Sequence, residues 1–221
     1  MSVASVVDAS ALLHPRVDGS AEERAVVAAV ARSGALLQGH FRLQGGSHSE
    51  YFLRFARVGW DEALCAAVAE GLVARLRRRA IDLGGVTVLS PESSGFFLGR
   101  SVARVLDAEH AVAMVDAGRC PLDRLRSGAI APGARVLLVN DVVTSGVSLE
   151  ALRRLAARSG ASNVAAAVFA SLDPDALDRW RDRHHVATSY LARGVWPNYP
   201  DGRGCPQCEK RTSTLPATEF N

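Results

Sequence analysis

Lysine is nearly missing from this chain of 221 residues: Lys210 is the one lysine among 26 basic residues. A catalytic lysine is therefore almost excluded. The remaining positive charge is arginine, whose planar guanidinium binds phosphate and carboxylate groups through paired hydrogen bonds. The formal net charge of +3 is too small to indicate a nucleic-acid partner by itself.

We expect neither a leader peptide nor a membrane-spanning segment in this chain. The first residues, MSVASVVDASALLHP, carry no basic region and are interrupted by Asp8. No apolar run approaches the roughly 20 residues that span a bilayer. Four cysteines are too few for a disulfide scaffold at this length. We therefore expect a cytoplasmic protein with reduced thiols and no membrane partner.

The composition, 48% hydrophobic and 22% charged, is that of a globular protein with a substantial core. We expect an N-terminal arm over residues 1–19 and one domain over 20–193. From about Gly194 the sequence shifts to proline, glycine and cysteine, which predicts an irregular tail over 194–221.

Helices and buried strands alternate along the predicted domain. Ser20 and Glu23 form a capping-box pattern at the start of one helix, and apolar residues recur every fourth position between 61 and 79 in another. Strands are predicted at 86–90, 110–115, 134–140, 163–171 and 186–192. Near-continuous apolar strands separated by helices predict an α/β fold, with a parallel sheet covered on both faces.

The stretch VLLVNDVVTSGVS, residues 136–148, carries the main functional signal. It ends a buried strand on Asn140 and Asp141 and then turns into a helix for which Ser148 is the expected N-cap. Ligands of parallel sheets bind beyond the carboxyl ends of the strands, and a helix N-terminus favours an anion. The turn alone is equally compatible with a simple helix start or with a phosphate site.

The whole stretch resembles the phosphoribosyl pyrophosphate (PRPP) motif of type I phosphoribosyltransferases. The resemblance implies that family's fold: a parallel sheet flanked by helices, with a small hood built from the N-terminal and C-terminal segments. It also implies that Asn140 and Asp141 hold the ribose hydroxyls. The residues implied to hold the 5′-phosphate are Thr144, Ser145, Gly146, Val147 and Ser148.

Other segments resemble the orotate phosphoribosyltransferases in order and spacing. GHFRLQGGSHSEYFLRF, residues 39–55, resembles their substrate segment, and VLSPESSGFFLGRSVARVL, residues 88–106, falls at their pyrophosphate loop. Residues 115–133 correspond to their flexible catalytic loop. By this resemblance the base contacts are Gln44, Tyr51 and Phe52, the pyrophosphate contacts are Glu92, Ser93, Ser94 and Gly95, and the catalytic arginines are Arg119, Arg124 and Arg126.

The resemblance implies a transferase of pyrimidine biosynthesis that is a homodimer, uses Mg²⁺, and takes PRPP and a heterocyclic base as substrates. The sequence departs from the orotate pattern at four points. Asn140 replaces an acidic residue, the catalytic loop contains no lysine or histidine, Pro174 stands where an arginine usually holds the orotate carboxylate, and Gln44 replaces a lysine. Two alternatives stay open: a different base, or a non-catalytic PRPP-binding regulator. Against a regulator, no helix-turn-helix segment is appended.

Cys205 and Cys208 have the spacing of half a zinc site. His184 and His185 are the nearest candidates for the other ligands, but a turn with buried thiols is the favoured interpretation. Two chains pooling their cysteine pairs, or a redox role, are further alternatives. His40 and His48 flank the glycine turn of the substrate segment, where a contact to substrate and a strand-stabilising role are equally compatible with the sequence.

Overall fold

The computed structural model describes residues 4–43, 46–93, 95–116 and 121–217. Within them, strands and helices alternate along most of the chain. The strands are β1 (Ser5–Val7), β2 (Leu13–Pro15), β3 (Leu36–Arg42), β4 (His48–Leu53), β5 (Val86–Pro91), β6 (His110–Val115), β7 (Pro121–Ser127), β8 (Arg135–Val143), β9 (Ser162–Ser171), β10 (Ala187–Gly194), β11 (Asn198–Tyr199) and β12 (Leu215–Pro216). The helices are α1 (Ala21–Arg32), α2 (Ala56–Gly59), α3 (Glu62–Arg78), α4 (Gly95–Leu106), α5 (Val147–Arg158), α6 (Pro174–His184) and α7 (Pro206–Glu209).

The central sheet has seven strands in the order β2-β10-β9-β8-β5-β6-β7. The inner pairs are parallel, and β2 and β7 add antiparallel edges. One face packs on α1, α3 and α4 through residues such as Leu72 and Leu98, and the other packs on α5 through Leu149 and Leu152. The predicted parallel sheet with helices on both faces is confirmed.

A second, smaller sheet forms the hood, and its residues Leu36 and Leu53 pack into the same core as α1 and α3. Its order is β1-β3-β4-β11, and β12 pairs with β3 on the side. The N-terminal arm supplies β1, and the tail supplies β11 and β12. The prediction of an irregular tail is therefore wrong in part, because backbone hydrogen bonds to the β3–β4 hairpin impose short regular elements on it.

The local helix signals are confirmed at two helices. Ser20 caps α1, and its side chain and that of Glu23 make the reciprocal capping-box hydrogen bonds. Asp61 caps α3, whose apolar stripe includes Val68 and Leu72 at 0% exposure. None of the helices in the described ranges combines the length and apolar character needed to cross a membrane.

Three details differ from the sequence-based expectations. Strand β8 continues past Asn140 to Val143 because it stays paired with β9. Helix α5 begins at Val147 with Gly146 as its N-cap, so the prediction of Ser148 as N-cap is wrong. Residues 121–127, expected in a flexible loop, form the edge strand β7 along β6. Helix α6, for which no prediction was made, links β9 to β10.

Candidate active site

The topological switch point of the central sheet lies between β5 and β8, and we call the space beyond the carboxyl ends of these two strands the crevice. Helix α4 leads from β5 toward β6, and α5 leads from β8 toward β9 on the opposite face, so the order of strands reverses here. The β5–β8 pairing ends at Leu89 and Leu138, whereas β8 and β9 stay paired as far as Val143. Such a switch point is the usual ligand site of open α/β sheets.

Asn140 and Asp141 lie on the part of β8 that extends beyond its pairing with β5 and remains paired with β9, beside this crevice. Asn140 is 5% exposed, and its Nδ2 donates a hydrogen bond to the carbonyl oxygen of Val142 at 3.3 Å. A Cβ atom at Gly95 would lie 2.6 Å from Asn140 Oδ1. The amide of Asn140 is thus held against the first turn of α4, and Asp141 follows it as a half-buried carboxylate.

The turn before α4 is tied to the β6–β7 edge through Glu92. Its backbone N–H donates to the carbonyl of Ala113, and its Oε1 accepts from the N–H of Val115 at 3.0 Å. Its other carboxylate oxygen lies 3.3 Å from Arg126 Nε. Two predicted site residues, Glu92 and Arg126, therefore form an ion pair, and the backbone of Ser93 accepts a bond from Phe96. Ser94 lies outside the described residues.

Arg124 and Arg126 stand on β7, where the pairing with β6 has irregular register. Both are exposed, and the Arg126 side chain retains 65% of its accessible surface. Leu125 between them packs toward the α5 side of the sheet. Arg119, also expected in this segment, lies outside the described residues.

The turn after β8 has the backbone of an anion site. Gly146 has a φ of 80°, a left-handed conformation, and among the described side chains none caps the N-terminus of α5. The first N–H groups of this 12-residue helix therefore point into the turn without a side-chain acceptor. A Cβ atom at Gly146 would lie 3.4 Å from Trp180 Cδ1. The exposed Ser145 and the half-buried Thr144 add hydroxyl groups.

The first turn of α5 also contains an acidic residue, Glu150, that would repel an anion if it were not neutralised. Arg153 Nε lies 2.9 Å from its Oε2, and Arg154 Nε lies 2.8 Å from Oε1. The hydrogen bond from Arg153 is the main cause that lowers the pKa of Glu150 to about 2. His184 Nε2 lies 3.0 Å from the same carboxylate. The local charge balance consequently stays favourable for an anion.

The predicted base contacts lie on the hood. Tyr51 on β4 packs against Trp196 with ring centroids 6.0 Å apart, and Gln38 Nε2 lies 3.4 Å from the Tyr51 hydroxyl. A Cβ atom at Gly194 would overlap Leu172, and it would lie 2.8 Å from the Trp196 ring. Because the N–H of Leu172 donates to Val143, these contacts connect the hood to the end of β8. Phe52 packs on Phe41, and Gln44 lies outside the described residues.

The two tail cysteines have different neighbours from those expected. His40, His48, Cys205 and Cys208 bring one ligand atom each to within 4.8 Å of one another. His184 contacts Glu150 instead, so its nomination as a neighbour of the cysteines is wrong. All four residues of this cluster were singled out in the sequence, but in two separate motifs. No local pattern indicates that the hood hairpin and the tail meet.

Comparison with known proteins adds a family to this geometry. The family described as Phosphoribosyl transferase domain matches residues 61–198. The orotate phosphoribosyltransferase of Sphingopyxis alaskensis is 39% identical over 139 residues, covering 61% of this chain and 68% of that protein. That of Thermus thermophilus is 33% identical over 183 residues, covering 81% and 92%.

Two solved structures of other proteins share this arrangement of sheet and helices. Orotate phosphoribosyltransferase from Aeropyrum pernix has a TM-score of 0.60 at 18% identity, over 76% of this chain and 92% of that one. Leishmania donovani UMP synthase has a TM-score of 0.65 at 16% identity, over 80% of this chain and 37% of that one. At these identities the likeness concerns the fold.

Proposed function

Because this chain belongs to the phosphoribosyltransferase family, we propose that it transfers the phosphoribosyl group of PRPP to orotate, releasing pyrophosphate and forming orotidine 5′-phosphate. The relatives named orotate phosphoribosyltransferase support the choice of base. The single observation that carries the proposal is the crevice between β5 and β8. There Asn140 and the first turn of α4 lie in contact, and the same strand leads into the uncapped N-terminus of α5.

PRPP binds in this proposal with its ribose on β8 and its 5′-phosphate in the turn that follows. The Asp141 carboxylate and the Asn140 amide accept hydrogen bonds from the ribose hydroxyls. The phosphate accepts hydrogen bonds from the N–H groups at the start of α5 and from the hydroxyls of the turn. Its negative charge therefore faces the positive end of the helix dipole. The residues assigned to the phosphate are Thr144, Ser145, Gly146, Val147 and Ser148.

Pyrophosphate binds between the start of α4 and the β6–β7 edge. Arg126 is already oriented by Glu92 at 3.3 Å, and its exposed guanidinium is available for a phosphate oxygen. Arg124 on the same strand adds a second positive charge. Together with Arg119 these side chains take over the function that lysine serves in the orotate enzymes. The turn itself contributes Glu92, Ser93, Ser94 and Gly95.

The base occupies the side of the crevice under the hood, where Tyr51 and Phe52 offer aromatic surface and Gln44 offers an amide. The contact between Tyr51 and Trp196 supports this placement, since it ties the hood to the strand ends that hold the ribose. Aromatic faces suit a planar heterocycle, and the amide of Gln44 is a donor for a carbonyl or carboxylate oxygen.

The reaction needs positioning and charge stabilisation more than covalent chemistry. A ring nitrogen of the base attacks C1 of the ribose as the bond to pyrophosphate breaks, and C1 passes through an oxocarbenium-like state. Asp141 lies close enough along β8 to stabilise that positive charge, while the arginines of β7 stabilise the departing pyrophosphate. The proposal therefore requires donor, acceptor and leaving group to lie in one line across the switch point.

Mg²⁺ is the cofactor that we propose. The donors at the crevice are oxygens, from the Asp141 carboxylate and the buried Asn140 Oδ1, and this donor set fits a hard cation that keeps substrate phosphates as further ligands. When bound, Mg²⁺ neutralises pyrophosphate and so makes it a better leaving group. Asp141 and Asn140 are the residues that would hold it, through the ribose or directly.

We propose a cytoplasmic homodimer in which the catalytic loop that contains Arg119 completes the site of the partner subunit, whereas Arg126, paired with Glu92, acts in the site of its own chain. The catalytic unit is residues 20–193, with the arm (1–19) and the tail (194–221) as covering segments. Mixing Asp141→Ala with Arg119→Ala tests the shared site. About half of the dimers in the mixture are hybrids with one intact site each, so the mixture of these two inactive variants should regain up to about one quarter of wild-type activity. If no activity returns although the subunits exchange, the site is complete within one chain.

The experiment that tests the function is pyrophosphate release from PRPP with Mg²⁺, using orotate and a panel of purines and pyrimidines. Release with orotate, lost in Asp141→Ala, is the expected result. A different base is favoured by one observation: α6 begins at Pro174 with Asp173 as its cap, where orotate enzymes place an arginine. Release with another base alone would support that alternative, and PRPP binding without turnover would support a regulator.

A further inference from the structure

A second cluster of reactive side chains lies on the hood, apart from the crevice. His40 Nε2 is 3.0 Å from His48 Nδ1 and 3.5 Å from Cys208 Sγ. Cys205 Sγ lies 3.6 Å from His40 Nε2, and Cys208 Sγ lies 3.1 Å from His48 Nδ1. Two imidazole nitrogens and two thiols therefore converge on one point, with all four atoms within 4.8 Å of one another.

These separations are those of ligands around a tetrahedral zinc ion. With Zn–N near 2.0 Å and Zn–S near 2.3 Å, a tetrahedron has edges of about 3.3 Å between nitrogens and about 3.5 Å between nitrogen and sulfur. The observed nitrogen–nitrogen distance is 3.0 Å, and the nitrogen–sulfur distances are 3.1, 3.5 and 3.6 Å. Two sulfurs and two nitrogens in this geometry select zinc among the common divalent metals.

The surroundings of His40 prepare its ring for metal binding. His40 is 2% exposed, and its Nδ1 lies 3.0 Å from both the carbonyl oxygen and the Oγ1 of Thr212. The Thr212 hydroxyl donates its own proton to Gln207, so Nδ1 is the donor in this contact. The lone pair of Nε2 is therefore directed at the cluster. Such an outer hydrogen bond is what metal-bound histidines usually make.

The fold builds the cluster from segments far apart in the chain. A register shift between Gln38 and Phe41 marks a bulge around His40, and His48 begins the partner strand β4. In the tail, Gly202 has a φ of 72° and its Cβ position lies 3.0 Å from the His48 ring, which allows the close approach. Cys205 then caps α7, whose single turn carries Cys208 on the same side.

We propose that His40, His48, Cys205 and Cys208 form a structural zinc site that fastens the C-terminal tail to the hood. Four protein ligands close the coordination sphere, which is the pattern of structural rather than catalytic zinc. Binding releases one proton from each thiol, and the two thiolates then balance the 2+ charge of the ion. The site clamps both ends of the β3–β4 turn, which contains Gln44, and so fixes the part of the hood proposed to meet the base.

The test begins with the metal content of the full chain purified from zinc-supplemented medium. We expect about one zinc per chain, with the visible spectrum of tetrahedral, thiolate-bound Co²⁺ after replacement by that ion. Cys208→Ser and His48→Ala should each reduce bound zinc by about tenfold or more. Matched controls are Cys65→Ser, a free cysteine in the core, and His14→Ala on the exposed arm. Both should keep the wild-type zinc content.

A second readout is stability. Removing zinc with a chelator should lower the melting temperature of the wild type by roughly 5 °C or more, and should leave that of Cys208→Ser unchanged. Added zinc should restore the wild type. The proposal is overturned if the folded, reduced chain binds no zinc or gives no tetrahedral cobalt spectrum. It is equally overturned if thiol titration finds Cys205 and Cys208 joined in a disulfide. None of these results depends on the transferase activity.

Discussion

Gly95 and Asn140 are in contact across the switch point: a Cβ atom on the glycine would lie 2.6 Å from the amide oxygen of the asparagine and 2.8 Å from Pro91 Cγ. The pair joins the start of α4 to the end of β8. Glycine is required there because any side chain would displace either the proline ring or the Asn140 amide.

Gly95→Ala tests this contact. The added methyl group should push Asn140 out of the crevice and disturb the turn that we assign to pyrophosphate, so kcat/KM for PRPP should fall by roughly tenfold or more. Gly84→Ala is the control, since its new Cβ would meet the end of the flexible Asp82 side chain at 3.3 Å. Full activity in Gly95→Ala would argue against PRPP binding at this position.

The ion pair between Glu92 and Arg126 carries a second prediction. Arg126→Gln removes the positive charge that, in our proposal, stabilises the leaving pyrophosphate. We expect kcat to fall by about 10- to 100-fold. Arg158→Gln is the control, because Arg158 on α5 forms a surface ion pair with Asp123 on β7, the strand that also carries Arg126. Steady-state kinetics with varied PRPP distinguish a loss of kcat from a loss of affinity. An unchanged kcat would remove Arg126 from the catalytic residues.

Much of the fold could be predicted because it depends on local patterns. The capping box of Ser20 and Glu23 and the apolar runs of the inner strands are short-range signals, and the structure confirms them. The PRPP-like stretch was recognisable for the same reason. Its assignment to the crevice stays a prediction, although the structure brings Asn140 against Gly95 as that assignment requires.

What the sequence did not reveal depends on contacts between distant segments. The length of β8 depends on its pairing with β9. The short strands of the tail depend on their pairing with the β3–β4 hairpin. Gly146 rather than Ser148 caps α5, because the residue directly before Val147 has a left-handed backbone conformation. The meeting of His40 with Cys208 spans most of the chain, so no spacing rule could find it.

His110 predicts a pH dependence of stability. Its Nε2 lies 2.8 Å from the Oγ of the fully buried Ser90, and burial is the main cause that lowers its pKa from 6.5 to about 4. The fold therefore favours the neutral ring. This contribution is complete above pH 6.5 and is lost as the pH falls toward 4, by about 2 kcal/mol after allowing for partial exposure.

Urea denaturation between pH 4 and 8 measures this effect. In His110→Gln, which keeps an acceptor for Ser90 but does not titrate in this range, the drop in the free energy of unfolding between pH 6.5 and 4 should be smaller than in the wild type. The same drop in both proteins would assign the pH dependence to other groups.

Replacement of the buried Glu23 should lower the free energy of unfolding substantially. Glu23 is 2% exposed and pairs with Arg78 and with Arg75, whose side chain is itself 7% exposed. Glu23→Gln removes the buried charge that faces Arg75, which keeps its ion pair with Asp18, and the free energy of unfolding should fall by about 1.5–3 kcal/mol. Glu22→Gln, the exposed neighbour in the same helical turn, should change it by less than about 0.5 kcal/mol. Chemical denaturation of both variants decides the comparison.

Alanine substitutions at two glycines, one at each end of α5, distinguish a loss of phosphate binding from an effect of backbone strain. Gly146 and Gly160 have φ values of 80° and 74°, so alanine at either position adopts a strained left-handed conformation that costs about 1 kcal/mol. Only Gly146 lies in the turn that we assign to the 5′-phosphate, and its Cβ position lies at an ordinary contact distance of 3.4 Å from Trp180. Gly160 faces Pro132, with no atom closer than 3.7 Å to its Cβ position.

Gly146→Ala should therefore raise the KM for PRPP by about tenfold or more, while Gly160→Ala should leave it within about twofold of the wild type. Both variants should lose a similar amount of stability, which thermal denaturation measures in parallel. Because the strain is matched, a difference in KM reports on the phosphate site itself. Equal KM values in the two variants would mean that the 5′-phosphate does not bind at the N-terminus of α5.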